Sequence, residues 1–137
     1  MAHAQISLTS AAALSSYKPT ETGKLKVISG GVGDTQTAAC WVAVTDDGSH
    51  AYTVNTASGT VSLYSVSIGG QLSLVNPTAG GGNVPVDAAL SHGSRFLYVR
   101  NGGDGTISGF RVRTDGTLKL IDVARGLPMG AAGLAAN

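Results

Sequence analysis

The sequence repeats itself with a spacing of 46 residues. Tyr52, Asn55, Gly59, Thr60, Val61, Ser62 and Tyr64 return as Tyr98, Asn101, Gly105, Thr106, Ile107, Ser108 and Phe110, without a gap. Gly70, Leu72 and Leu74 return as Gly116, Leu118 and Leu120 at the same spacing. A partial third copy lies 47 residues before them, at Tyr17, Gly23, Leu25 and Val27. A unit this short cannot bury its apolar faces alone, so copies must stack on one another.

The unit itself reads as a meander. In Val86–Val123, runs of Val, Ile, Phe, Tyr and Thr alternate with SHGS, NGGDG and RTDG. Branched and aromatic side chains favour a pleated surface, and Gly and Asn favour the turns. Four antiparallel strands per unit, labelled A (innermost) to D, are expected at 87–91, 95–100, 106–112 and 117–123. The preceding unit gives 40–45, 50–54, 60–66 and 71–76. A period of 40–50 residues with four strands is that of a β-propeller blade. The front supplies a degraded B strand at 5–9, a C strand at 13–18 and a D strand at 24–29. The closing GLPMGAAGLAAN reads as a lone A strand. The expectation is an all-β, partial β-propeller domain over 1–137, with units 39–76, 86–123 and a composite of 3–29 with 128–137. Three blades do not close a ring, since propellers typically have 4–8. A homodimer forming a six-bladed ring is the expected self-association.

Composition agrees and excludes several functions. Charged residues are 12% of the chain and Gly is 20 of 137 residues, which suits closely packed strands better than helices. A net charge of +1 offers no field for nucleic acid or anionic lipid, and no apolar run has the length of a membrane span. MAHAQISLTSAAAL has no Lys or Arg ahead of its short apolar segment, so it does not read as a secretory signal. The single Cys40 excludes an intrachain disulfide and a cysteine zinc cluster. Cys40 is expected to be a buried small hydrophobe, and Trp41 and Tyr64 to pack between blades.

Four segments carry a family resemblance: YKPTETGKLKVISG, AACWVAVTDDGSHAYTVNTASGTVSLYSV, PVDAALSHGSRFLYVRNGGDGTISGFRV and LPMGAAGLAAN. Together they resemble the lactonase-like seven-bladed β-propeller family, which includes propeller-type 6-phosphogluconolactonases and carboxymuconate-lactonizing enzymes. The likeness is to the C-terminal blades. It implies a propeller fold and hydrolysis of a sugar lactone; it assigns no individual residue.

Candidate residues come from placement. Ligands of propellers sit at the channel mouth, here lined by the D-to-A loops (30–38 and 77–87) and the B-to-C loops (55–59 and 101–105). Asp34, Gln36, Asn55, Asn101 and Asp104 are the substrate-binding candidates. Asp87 heads an inner strand and is the candidate general base for a lactone-attacking water or a metal-binding carboxylate, or else a loop tie through backbone amides. Arg100 stands where the other repeat has Val54, so it either serves a ligand, as an oxyanion holder, or pairs with Asp104. His50 and His92 fall at the opposite end of the blade, without carboxylates at metal-ligand spacing. The acidic turns lack the remaining calcium ligands, and the glycine runs open no helix, so no metal or cofactor is expected. Two functions remain: lactone hydrolysis by activated water, and a non-catalytic propeller module for binding or assembly.

Overall fold

The computed structural model describes residues 3–8 and 11–137. It contains three antiparallel sheets. Sheet 1 holds β1 (His3–Leu8), β2 (Ala12–Pro19) and β3 (Leu25–Gly33). Sheet 2 holds β4 (Ala39–Val44), β5 (His50–Asn55), β6 (Thr60–Val66) and β7 (Leu72–Gly81), in that spatial order. Sheet 3 holds β8 (Pro85–Leu90), β9 (Phe96–Asn101), β10 (Thr106–Val112) and β11 (Leu118–Ala124), likewise in sequence order. The expected meanders are therefore present strand for strand, as propeller blades. Residues 125–137 form no strand, so the expected lone inner strand at the C-terminal end is not formed. An inner strand needs a blade edge to pair with, and sheets 2 and 3 already have theirs.

Burial shows why the middle strands alternate so weakly. Five of six residues of β5 are buried, because sheet 2 is covered on both faces. One cover is a cluster of Tyr52, Val54, Val61 and Leu63 against Ala88, Leu97, Val99 and Phe110 of sheet 3. The other is Leu14 of sheet 1 with Ala51, Tyr64 and Leu72. Odd and even positions of β5 and β6 thus serve different interfaces. The outer strands β3 and β11 are mostly exposed.

Polar ties lock the blades in register. The Tyr52 hydroxyl donates to the Gly116 carbonyl of sheet 3 at 2.7 Å, and the Tyr64 hydroxyl to the Val32 carbonyl of sheet 1 at 2.9 Å. Tyr64 packs between blades as expected. Trp41 does not: it is 47% exposed, and Cys40 beside it is exposed rather than buried. Both lie on β4, an inner edge strand open to solvent over most of its length. Gly116 has φ +81°, and a Cβ there would strike the His50 ring, so the turn that Tyr52 grips requires glycine.

Candidate functional site

The loops expected at a channel mouth do meet. The Thr56 amide donates to the Ala38 carbonyl (2.9 Å), Thr56 Oγ1 to the Pro85 carbonyl (2.8 Å), and the Gly102 amide to the Val84 carbonyl (2.8 Å). Each D-to-A crossover is thereby fastened to B-to-C turns, and the candidate residues gather at this end of the blades in three groups.

The first group surrounds Asp34, which is fully buried. One carboxylate oxygen accepts the Gln36 amide (2.9 Å); the other accepts Ser62 Oγ (2.8 Å) and Thr53 Oγ1 (3.2 Å). Asn55 Nδ2 donates to Ser62 Oγ and Thr60 Oγ1, and Thr60 Oγ1 reaches Gln36 Oε1 at 3.0 Å. Asp34, Gln36 and Asn55 therefore share one network, which ties a crossover to the hairpin behind it. The second group repeats it in sheet 3. Asn101 Nδ2 donates to Thr106 Oγ1 and Ser108 Oγ, both at 2.9 Å, and Thr106 Oγ1 donates to Asp104 (2.7 Å). Here no acid takes the place of Asp34. The Asn55 and Asn101 Oδ1 atoms are buried without a partner among the described residues.

The third group is Asp87 and Arg100. A register shift between Pro85 and Asp87 sets Asp87 opposite Arg100, as the shift between Ala39 and Trp41 sets Trp41 opposite Val54. Bulges of this kind re-aim side chains. Asp87 is 4% exposed and Arg100 2%. Asp87 Oδ1 accepts its neighbour's amide, from Ala88, at 2.7 Å, so the loop-tie reading is present in part. Arg100 does not pair with Asp104. Its Nη1 donates to the Asn101 carbonyl and its Nη2 to the Pro128 carbonyl (2.8 Å), while Nε is buried without a partner among the described residues. Among those residues no ion pair joins Asp87 to Arg100. A carboxylate with its second oxygen uncommitted among the described residues thus lies across the ladder from a guanidinium whose Nε–H is uncommitted.

Thr53, Thr60, Ser62, Thr106, Ser108 and the Pro128 carbonyl are hydrogen-bond partners of the candidate residues that the sequence reading missed. The shared Asn-x4-Thr-x-Ser spacing of the two repeats was the visible signal for Thr60, Ser62, Thr106 and Ser108; Thr53 and Pro128 had none.

The opposite end of the blades carries a different arrangement. Asp47 accepts Thr45 Oγ1 (2.6 Å) and the Ser49 amide and hydroxyl, and Ser49 Oγ also meets His50 Nδ1 at 2.8 Å. The Thr45 bond, then the Ser49 bonds, lower the Asp47 carboxyl to a pKa of about 2. This is a turn held by its own side chains, and no group of three or more His, Cys, Asp or Glu among the described residues could hold a metal.

Comparison with known proteins places the chain. It shares its fold with a functionally unknown protein from Desulfotomaculum acetoxidans (TM-score 0.72, 20% identity), over 81% of this chain and 34% of that one. A candidate 6-phosphogluconolactonase from Bacteroides fragilis aligns at TM-score 0.74 and 20% identity, over 83% of this chain and 33% of that one. The periplasmic gluconolactonase of Pseudomonas aeruginosa aligns at TM-score 0.69 and 19% identity, over 95% and 40%. The chain spans between a third and two-fifths of the length of these structures. Among curated proteins none matches it by sequence. The model of the family described as lactonase, 7-bladed beta-propeller, matches residues 5–128, and the chain belongs to that family.

Proposed function

We propose that the chain supports hydrolysis of a sugar lactone by activated water, with Asp87 as general base and Arg100 facing the charge that develops on the carbonyl oxygen. One observation carries this reading. At the position where the neighbouring blade has Trp41 and Val54, this blade buries an acid and a base opposite each other without letting them pair. Burying charges is costly unless they are satisfied, and a half-satisfied pair at a ligand-binding end is the form a site takes before its ligand arrives. Family membership and two relatives named for lactonase activity supply the substrate class.

In this mechanism the uncommitted Asp87 oxygen accepts a proton from water as that water attacks the ester carbonyl. The ring C–O bond then breaks, and the leaving alkoxide takes that proton from Asp87, giving the hydroxy acid and restoring the carboxylate. Arg100 is held in place by the Asn101 and Pro128 carbonyls, and its positive charge stabilises the forming oxyanion. Acid release from glucono-δ-lactone tests the reading. General base catalysis is worth about 10²–10⁴-fold, so Asp87→Asn should lower the rate by roughly that factor with the fold intact by circular dichroism. An unchanged rate in Asp87→Asn refutes the assignment.

A second reading, a binding or assembly module without turnover, is favoured by one specific fact. Two of the three Arg100 nitrogens are occupied by backbone carbonyls, as in a purely structural arginine. Absence of turnover together with saturable lactone binding would select it.

A further inference from the structure

The two B-to-C turns are built alike and are fastened in the same way to the crossovers that follow their sheets. In sheet 2 the Gly82 amide donates to the Gly59 carbonyl at 3.1 Å; in sheet 3 the Leu127 amide donates to the Gly105 carbonyl at 3.0 Å. Both turn glycines are left-handed, with φ +69° and +66°, and both admit a carbonyl where a side chain would begin. A Cβ on Gly59 would lie 3.0 Å from the Gly82 carbonyl oxygen, and one on Gly105 would strike the Leu127 carbonyl oxygen. Behind the turns, Asn55 and Asn101 make the same amide bonds to the Thr and Ser of the next strand. This frame of turn, crossover and asparagine belongs to the repeat.

What differs is the residue ahead of the asparagine, which is Val54 in sheet 2 and Arg100 in sheet 3. Arg100 is buried, and its guanidinium draws on the frame. Nη1 donates to the Asn101 carbonyl and, at 3.5 Å, to the Thr106 carbonyl; Nη2 donates to the Pro128 carbonyl at 2.8 Å. Among the described residues, Pro128 supplies the only one of these acceptors that lies outside the hairpin of Arg100 itself. Sheet 2 keeps its crossover tie with a valine in that place, so no arginine is needed to hold a crossover. The dependence runs the other way. A long, rotamer-rich side chain is fixed only where its acceptors already stand in place. Proline has a fixed φ and holds the residue before it extended, which makes Leu127-Pro128 a stiff source of that acceptor.

We propose that the crossover after sheet 3 is the positioning element of Arg100. Gly105 admits the crossover, the Leu127 amide anchors it, and the Pro128 carbonyl holds the guanidinium on the residue that faces Asp87 in the ladder. These three are positioning residues and act through Arg100. The catalytic consequence rests on the reading of Arg100 as the group that stabilises the oxyanion; the placement does not.

Labelling of the full chain with phenylglyoxal, mapped by mass spectrometry, tests the placement without calling on activity. Arg95, Arg111, Arg113 and Arg125 are exposed and serve as reacting standards, while Arg100 should resist. Gly105→Ala drives a methyl group into the Leu127 carbonyl. It should raise Arg100 labelling about tenfold or more, the worth of one hydrogen bond to a charged group. Leu127→Pro, which deletes the anchoring amide and leaves the turn as it is, should do the same. Gly59→Ala strains the sister turn, which has no arginine to release, and should leave Arg100 protected. Protection that persists in both crossover variants, or is lost equally in Gly59→Ala, overturns the proposal. Glucono-δ-lactone hydrolysis reads the consequence: both crossover variants should lower kcat by up to about 10²–10³-fold, the worth of an oxyanion donor, with KM changed far less. Labelling that rises as expected while these variants and Asp87→Asn all keep the original rate sustains the placement and sinks the proposed function alone.

Discussion

Sheets 2 and 3 are the same meander built twice, and they differ where one is covered and the other is not. Sheet 2 meets sheet 3 through Tyr52, Val54, Val61 and Leu63. The matching positions on the outward face of sheet 3 are Tyr98, Arg100, Ile107 and Gly109, with Asp87 in the place of Trp41. The half of the face nearer the outer turns keeps the apolar character of a blade interface, while the half nearer the loops has exchanged it for a carboxylate and a guanidinium. Repeat architecture makes such a divergence readable. The scaffold is held constant, so a change of chemistry at one position cannot be laid to a change of backbone. The comparison teaches that Asp87 and Arg100 are departures from what the blade requires, whereas Asn55 and Asn101, present in both, are part of what it requires.

The largest effect expected from that contrast lies in leucines at one repeat position. Leu72 is buried between sheets 1 and 2, and Leu72→Ala should cost about 2–5 kcal/mol of unfolding free energy, the usual range for a core leucine. Leu25→Ala, at the exposed mate, should cost within about 0.5 kcal/mol when measured on a monomer. Urea unfolding of the two variants side by side reads the difference. Equal costs would mean that position is not an interface position of the blade.

How far the sequence disclosed this is itself a matter of repeats. The 46-residue spacing predicted the strand order, and the strands fall within a few residues of expectation because Gly and Asn turns recur at fixed offsets. β7 is the main exception: expected to end at 76, it runs to Gly81. A register shift between Val61 and Leu63 lets it pass Pro77 and pair again through Gly80 with Val61. A bulge leaves no sequence signature as plain as a turn. The candidate site was legible as a location and less so as chemistry. Asp34 was placed at the right loop, yet whether it faces a channel or the hairpin behind it depends on where Thr53 and Ser62 point, which spacing alone does not give. Trp41 and Cys40 were misjudged for a related reason: small and apolar residues in an inner strand imply neighbours on both sides, and β4 has a sheet edge on one.

A smaller effect separates two serines. Ser62 donates to the buried Asp34 carboxylate, while Ser108, its mate, accepts from Asn101 and among the described residues donates to none. Removing one partner of a buried, charge-assisted bond costs roughly 1.5–3 kcal/mol, against about 1 kcal/mol or less for a neutral one. Ser62→Ala should therefore be the more destabilising by about 1 kcal/mol in the same urea assay. Should Ser108→Ala prove the worse, the Asp34 network is not what holds the first crossover.

The smallest effect belongs to the tyrosine that ties sheet 2 to sheet 3. Tyr52 is fully buried and donates to Gly116. Burial, with the charges of Asp115 and Asp47 adding to it, raises its phenol pKa to about 12 from the ordinary 10. The folded protein thus holds this proton more tightly than the unfolded chain. The stability it supplies is fully present below pH 10 and is lost as the pH rises from 10 through 12. Ionisation there would also abolish the donor to Gly116 and set a phenolate near two carboxylates. Tyr52→Phe should cost about 1 kcal/mol at neutral pH, flatten the alkaline loss of stability, and delete a phenolate absorbance step near pH 12. If that step survives the substitution, Tyr52 is not the group that titrates, and its tie between sheets 2 and 3 does not hold the proton.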